Sequence, residues 1–264
     1  MSMIVPLFDA LAHPTVSGRW LGRSLDATFE TLVQDMARAN FRGACAVGMA
    51  RKDGYSHVPF IERCSRYQHL VPIAGLHPLL PNLEAELDLV TALGFRGVKV
   101  HPRFSNVDLE RDCGRMVKLL QLARERELVV FLCTYFHTKL TGYPVNDPFY
   151  SLITILQQAP RTQVVLVHGG DVRVMQYAEL VRHNPNLLLD LSLTMMKYQG
   201  SSIDDDVRFL FQLFDRRICI GTDHPEYSHQ AVRRRFEMFS EGISAEKKHN
   251  IAYRNIETFL GLTP

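Results

Sequence analysis

The sequence lacks several features that would restrict its class quickly. Its 264 residues include one tryptophan and five scattered cysteines with no CxxC pair, a pattern that argues against a disulfide framework and favours reduced thiols in the cytoplasm. No apolar run approaches the roughly 18 residues that a membrane-spanning helix needs. The N-terminus, Met1–Pro6, has neither the charged region nor the small-residue cleavage site of a secretory signal. We therefore expect a cytoplasmic protein with no membrane partner.

An excess of charge of either sign is also missing. Thirty Lys and Arg oppose 28 Asp and Glu, for a net charge of +2, which is too small to favour nucleic acid as the partner. The densest basic run, Arg233–Arg235, lies in a helical pattern and is typical of a solvated helix face. A small molecule is the expected partner.

Short runs rich in Val, Ile and Leu alternate along the whole chain with longer stretches of helical spacing. We predict eight strands, at Ile4–Phe8, Gly43–Gly48, Val71–Leu76, Gly97–Val100, Leu128–Thr134, Val164–His168, Leu187–Leu191 and Ile218–Thr222. The predicted helices are Ser24–Ala39, Val58–Tyr67, Leu83–Leu93, Leu109–Glu127, Pro148–Gln158, Met175–His183, Asp204–Phe214, Glu226–Phe239 and Ala245–Leu260.

This alternation predicts parallel strands joined by crossover helices. Eight repeats favour a closed (β/α)8 TIM barrel, and no GxGxxG motif follows the first strand to favour a dinucleotide fold. No linker marks a boundary, so we expect one domain over residues 1–264 with an additional C-terminal helix, and a homodimer is left open. The longest irregular stretches, Ala10–Arg23 and Tyr135–Asp147, follow strands, where a barrel builds its active site. On the helix Asp204–Phe214, the apolar stripe formed by Phe209, Leu210, Leu213 and Phe214 is expected to face the core.

Ionisable residues collect where the predicted strands end. Because residues two apart share one face of a strand, Lys99 and His101 are predicted to point into the barrel mouth. His13, His168 and Asp223 follow other strands towards the same rim. Buried charges are costly unless paired or liganded, so we interpret the cluster as functional. Imidazoles with a carboxylate favour metal-assisted hydrolysis.

Single members of this set have structural interpretations as well. A lone histidine at a strand end, such as His77 or His224, is more often a hydrogen-bonded structural residue. Cys133 on its own is typical of a small buried side chain. Trp20, in the first long loop, either lines the pocket or caps it.

At these motifs the chain resembles the amidohydrolase superfamily, in its amidohydrolase 2 branch of metal-dependent TIM-barrel hydrolases and decarboxylases. The segments that carry the resemblance are Gly94–Pro102, Val164–Gly170 and Ile218–Asp223. The family's first strand carries D-x-H-x-H, whereas Asp9–His13 keeps only the second histidine and has Leu11 in the place of the first. The fifth-strand ligand position holds Cys133.

The resemblance implies two alternatives for a cofactor. Either a divalent metal, zinc above all, is held by His13, Cys133, His168 and Asp223, or the metal has been lost. In the first case Asp223 would deprotonate a metal-bound water, and His168 would bind metal or polarise the substrate carbonyl.

The hypothesis for function is hydrolysis of a C–O or C–N bond, in a lactone or an amide of a small anionic metabolite, or decarboxylation of such an acid. Asp223, His168 and Lys99 are assigned catalytic roles. Substrate binding is assigned to His101, Arg103, Tyr135 and His137, since cationic side chains are usual partners of carboxylates. The alternatives are a metal-free lyase or isomerase on the same barrel, and a non-catalytic barrel that binds a metabolite or a protein.

Overall fold

Eight parallel strands form the centre of the molecule. The computed structural model describes residues 4–142 and 146–262, so residues 143–145 of the predicted loop Tyr135–Asp147 lie outside it. The strands are β1 Leu7–Ala12, β2 Phe41–Val47, β3 Leu70–Leu76, β4 Gly97–Val100, β5 Val129–Cys133, β6 Val164–Val167, β7 Leu187–Asp190 and β8 Ile218–Cys219. Each pairs in parallel with the next along the chain.

Hydrogen bonds join the first and last strands and close the sheet. The backbone N–H of Ala10 donates to the carbonyl of Ile220 at 2.9 Å, and the N–H of Asp223 donates to Leu11 O at 2.9 Å. The predicted (β/α)8 barrel is therefore confirmed. The first strand ends four residues further towards the rim than predicted, at Ala12 instead of Phe8, which places Asp9 within it.

Side-chain alternation separates two apolar layers. Val98 and Val100 of β4 pack outward with the helices, whereas the neighbouring strands send Ile73 and Phe131 into the barrel interior. Lys99 lies between the two valines and is 2% exposed. The prediction that Lys99 points inward is therefore correct.

The crossover helices begin and end close to the predicted bounds, with a few differences. They are α1 Phe29–Arg38, α2 His57–Cys64, α3 Leu83–Ala92, α4 Cys113–Glu125, α5 Pro148–Gln158, α6 Val174–Arg182, α7 Thr194–Lys197, α8 Ile203–Leu213 and α9 His229–Phe239. The first starts later than predicted because Thr28, rather than Ser24, caps it by accepting from the N–H of Thr31. The short α7 was not predicted.

The predicted core stripe of α8 is wrong in two positions. Phe209 and Leu213 are 38% and 58% exposed, whereas the other two predicted positions, Leu210 and Phe214, are buried as expected. Val207 and Phe211 complete the buried face of the helix in their place.

The predicted C-terminal helix is present, with an altered hydrogen-bond pattern in its middle. It consists of α10 Ala245–His249, a π-helical segment Asn250–Arg254 and α11 Asn255–Phe259. Ile256 and Leu260 close the end of the barrel interior opposite the rim that carries the ionisable residues. No helix in the described part of the chain is long and apolar enough to cross a membrane.

Candidate active site

A cavity of about 360 Å³ opens at the rim where the strands end. Most of the side chains predicted for the site line it. Its lining consists of His13, Trp20, Leu21, Arg23, Met49, Lys99, His101, Arg103, Phe104, Tyr135, His168, Leu193, Lys197, Asp223 and Glu226. Side chains from opposite ends of the sequence therefore meet in one pocket.

His13 and Asp223 form a buried pair on one wall. The Nδ1 atom of His13 lies 2.8 Å from the carbonyl of Val47, and its Nε2 lies 3.4 Å from Asp223 Oδ1. Both ring nitrogens of His13 thus face oxygen atoms, which fix the orientation of the ring. Burial raises the pKa of Asp223, but His168, His13 and Lys99 outweigh it and hold that pKa well below its usual range. Asp223 is therefore a carboxylate at neutral pH.

Trp20 covers this pair. Its ring stacks on that of His13 with centroids 5.2 Å apart and planes at 17°, and its Nε1 donates to Glu226 Oε1 at 2.7 Å. Arg23 forms an ion pair with the same carboxylate. Trp20 is 3% exposed, so it both lines the pocket and seals one side of it.

His168 is held by the end of β7. Its Nδ1 lies 3.2 Å from Ser192 O and 3.1 Å from Ser192 Oγ, and the Ser192 hydroxyl donates to Asp190. Since a carbonyl only accepts, Nδ1 carries the proton and the lone pair of Nε2 remains for the cavity. Burial lowers the pKa of His168 to about 4 and raises the pKa of Asp190 to about 6. His168 is therefore a neutral imidazole at pH 7.

His101 lines another part of the cavity, and Cys133 lies against it outside the cavity lining. The Sγ atom of Cys133 lies 3.5 Å from His101 Nε2, and the His101 ring stacks on Phe104 with centroids 4.1 Å apart. Burial, Lys99 and Arg103 hold the pKa of His101 well below its usual range. Burial likewise raises the pKa of the Cys133 thiol, although Lys99 opposes it. At neutral pH the cavity therefore presents the neutral imidazole of His101, backed by a thiol.

Two cations flank Tyr135 at the mouth. The guanidinium of Arg103 lies 4.9 Å from the ring centroid and the Lys197 ammonium 4.4 Å, and Lys197 Nζ donates to Tyr135 Oη at 2.9 Å. Partial burial lowers the pKa of Lys197, but hydrogen bonds with Tyr135 and Tyr198 and the charge of Asp171 raise it further. Both cations are permanent, and both suit an anionic ligand group.

His137 lies outside this cavity lining. Its Nε2 is 3.4 Å from Asp171 Oδ2, and its ring meets that of Tyr135 edge to face. Asp171, fully buried, also accepts from Tyr198 Oη at 2.7 Å. The structure thus places His137 in an acidic cluster behind Tyr135, and its assignment to substrate binding stays a prediction.

The four predicted metal ligands do not form a metal-ligand group. Within residues 4–142 and 146–262, no set of three or more His, Cys, Asp or Glu side chains is arranged to hold a metal ion. Leu11 is fully buried at the position of the absent histidine, and Cys133 faces His101 instead. Arg103 and Lys197 line the same cavity, so a divalent ion there would meet charge repulsion. The donor set does not fit a metal as arranged.

Several residues of the site were not predicted from the sequence. Lys197 ends the unpredicted α7, and Glu226 and Arg23 lie in loops. A single charged residue in such a segment gives no indication of its partner in the sequence. Asp190 and Ser192 could have been found, because Asp190 ends an apolar strand in the way that Asp223 follows β8. Their partnership with His168 depends on the pairing of β6 with β7.

The closed barrel and its ionisable rim define a TIM-barrel enzyme. Residues 60–262 match the sequence pattern of the amidohydrolase family known as Amidohydro_2, and the chain belongs to that family. The resemblance carried by the strand-end motifs is thereby confirmed. No curated protein sequence matches the chain.

Solved structures share the fold at low sequence identity. An uncharacterized TIM-barrel protein from Bordetella bronchiseptica is 17% identical over 97% of this chain and 99% of its own, with a TM-score of 0.77. A putative 2-pyrone-4,6-dicarboxylic acid hydrolase from Pseudomonas putida is 17% identical over 98% of both chains, with a TM-score of 0.72. A 2,6-dihydroxybenzoate decarboxylase from Rhizobium is 14% identical over 97% and 99%, with a TM-score of 0.66.

Proposed function

We propose that this enzyme hydrolyses a lactone or an amide of a small carboxylic acid, with Asp223 as the general base and without a catalytic metal. The observation that carries the proposal is the buried Asp223 carboxylate, which lines the cavity with its Oδ1 atom 3.4 Å from His13 Nε2. The family is one of hydrolases, and a similar structure is named as a putative hydrolase of 2-pyrone-4,6-dicarboxylic acid, a small acid.

The proton moves between water and the leaving group through Asp223. Its carboxylate removes a proton from a water molecule as the water oxygen attacks the substrate carbonyl. The lone pair of His168 Nε2 accepts from that water and orients it. This differs from the role predicted for His168, because an Nε2 without a proton cannot donate to a carbonyl oxygen. The protonated Asp223 then returns its proton to the departing oxygen or nitrogen.

The negative charge of the substrate is bound by cationic side chains at the mouth of the cavity. Arg103 and Lys197, on either side of the Tyr135 ring, offer two cations to a carboxylate. Neutral His101 lies deeper in the cavity and suits a polar, uncharged part of the substrate. The pocket therefore favours an acid that places its anion outward and its reacting carbonyl towards Asp223.

Hydrolysis of lactones and amides of small carboxylic acids by the purified protein tests the proposal. We expect Asp223→Asn to lower kcat/KM by roughly 10²–10⁴-fold, as the loss of a general base does. Asp205→Asn, on the exposed side of α8, is the matched control and should retain full activity. Equal activity in the two variants would exclude Asp223 as the base.

Decarboxylation is a second candidate, supported by the likeness to the dihydroxybenzoate decarboxylase. Release of CO₂ from small aromatic or oxo acids, without hydrolysis of any lactone or amide, would favour it. Binding of such acids with no turnover at all would favour the non-catalytic alternative.

A further inference from the structure

Lys99 has no role in the hydrolysis proposed above, yet it lies at the base of the same cavity. It is 2% exposed, its strand places it in the barrel interior between Gly75 of β3 and Phe131 of β5, and it contributes to the cavity lining. Its Nζ has no hydrogen-bond partner among the residues that the structure describes.

An ammonium group in that position is costly. It carries three donors, and burial of a charge without a partner disfavours the charged form by several kcal/mol or more. Burial accordingly lowers the pKa of Lys99, while Cys133, Asp223 and Asp190 oppose the shift. An apolar side chain at this position would stabilise the interior layer of the barrel better than a lysine does. A chemical role for the amine explains why a lysine is present there.

The groups that amine chemistry needs line the same cavity. A neutral lysine amine is a nucleophile towards carbonyl carbon, as desolvated lysines in apolar pockets are. Asp223, His168 and His101 supply groups that accept or return a proton. Arg103 and Lys197 at the mouth supply cations for a carboxylate.

We propose that Lys99 is a covalent site that forms an imine with a small oxo acid. The carboxylate of the acid is held by the cations at the mouth, and its ketone or aldehyde carbon meets Lys99 Nζ at the base. This activity goes beyond the hydrolysis assigned to Asp223 and does not depend on it.

The step balances without an external oxidant or reductant. The lone pair of Nζ forms a bond to the carbonyl carbon as the C=O π bond breaks, and one proton passes from nitrogen to oxygen to give a carbinolamine. The nitrogen then expels that oxygen as water, with one further proton taken from a neighbouring acid, to leave a C=N bond to Lys99. Hydrolysis reverses both stages.

Trapping with pyruvate and cyanoborohydride tests the proposal. Cyanoborohydride transfers hydride to the C=N bond and leaves a stable secondary amine, which peptide mass spectrometry locates. We expect a single dominant adduct on Lys99. Lys197 is the matched control in the same cavity, since its ammonium stays protonated, and Lys118 is an exposed control; both should carry far less adduct.

The wild-type peptide map decides the outcome, because it does not rely on a variant that folds. No adduct on Lys99, or one no more abundant than those on Lys197 and Lys118, would overturn the proposal. Lys99→Arg, whose guanidinium is not a nucleophile, should lose the adduct, while Asp205→Asn on the exposed side of α8 keeps it. The trap therefore reports on the lysine even if the protein hydrolyses no lactone or amide.

Discussion

At the scale of single residues, burial rather than residue type determines the protonation states around the cavity. His168 and His224 both have a pKa lowered to about 4 by burial, whereas Asp190 has one raised to about 6. The site therefore holds neutral imidazoles beside the ionised Asp223. This distribution suits a reaction near neutral pH, in which a carboxylate takes a proton and a neutral histidine orients water.

The same shifts predict how stability depends on pH. Because the folded pKa of His224 is about 4 against an ordinary 6.5, the unfolded chain binds more protons between these values. The stabilisation from neutral His224 is complete above pH 6.5 and is lost as the pH falls towards 4. His168 also lowers the stability of the folded protein as the pH falls through the same range. Asp190, whose pKa is raised on folding, has the opposite effect on stability between pH 3.8 and about 6.

His224→Gln should therefore flatten this dependence. We expect the loss in free energy of unfolding between pH 7 and 4.5, measured by urea denaturation, to shrink by roughly 2 kcal/mol. His69→Gln, at an exposed histidine, should leave the loss unchanged. Equal slopes for both variants and the wild type would show that His224 is not buried as a neutral ring.

At the scale of elements, the loop between β6 and α6 has a backbone that few residues adopt. His168, Gly169, Gly170 and Asp171 all have positive φ, from 55° to 75°. This run turns the chain so that His168 faces the cavity, and Gly170 N–H donates to Thr134 Oγ1 at 2.8 Å. Gly169 and Gly170, the glycines in Val164–Gly170, therefore allow the backbone turn that places His168 at the cavity.

Gly170→Ala should destabilise the protein strongly. A Cβ at this position would lie 2.0 Å from Cδ2 of Tyr177, a fully buried ring, and φ is +75°. We expect a loss of about 3 kcal/mol or more in the free energy of unfolding. Gly200→Ala has φ +83° and nothing within 4 Å of its Cβ, so it should lose only about 1 kcal/mol. Similar losses for the two would exclude the steric explanation.

The loops after β1 and β8 are joined by Glu226, and the sole tryptophan reports on that junction. Glu226→Ala removes the acceptor of Trp20 Nε1 and the partner of Arg23. We expect the emission of Trp20 to shift to longer wavelength and its quenching by acrylamide to increase, as the ring leaves His13 and meets water. The control Glu237→Ala, at an exposed ion pair on α9, should alter neither. An unchanged spectrum in Glu226→Ala would show that stacking on His13 alone holds the ring.

Helices and strands were predicted well from the sequence where one local pattern marked their ends. The prediction was poorer where contacts between residues distant in the sequence determine the structure. The bounds of β4 and α5 agree with the prediction, since glycine and proline mark their starts. The α1 start was wrong because Ser24 and Thr28 are equally good caps in sequence. The contacts of Glu226 with Trp20 and of Ser192 with His168 join residues from separate loops, and no local pattern encodes them.

At the scale of the whole molecule, the outer apolar layer extends around all eight strands, and the interior layer includes residues of every strand except β4. We expect the predicted single domain to unfold in one cooperative transition. The nearly balanced net charge of +2 conceals an uneven distribution, because Arg103 and Lys197 lie together at one rim. That rim already holds cationic charge where the resemblance implies a divalent ion.

This charge leads to a prediction about metal. A ligand that binds only the folded state raises the midpoint of thermal unfolding in proportion to its binding free energy. Because Leu11 cannot coordinate a metal and Arg103 and Lys197 already place cations in the cavity, we expect equal Tm values with EDTA and with added zinc, and equal hydrolytic activity. A zinc-dependent rise in Tm that Cys133→Ser and Asp223→Asn both abolish would restore the zinc site first expected. A rise that both variants retain would come from zinc bound elsewhere, and would leave Asp223 as a base that works without a metal.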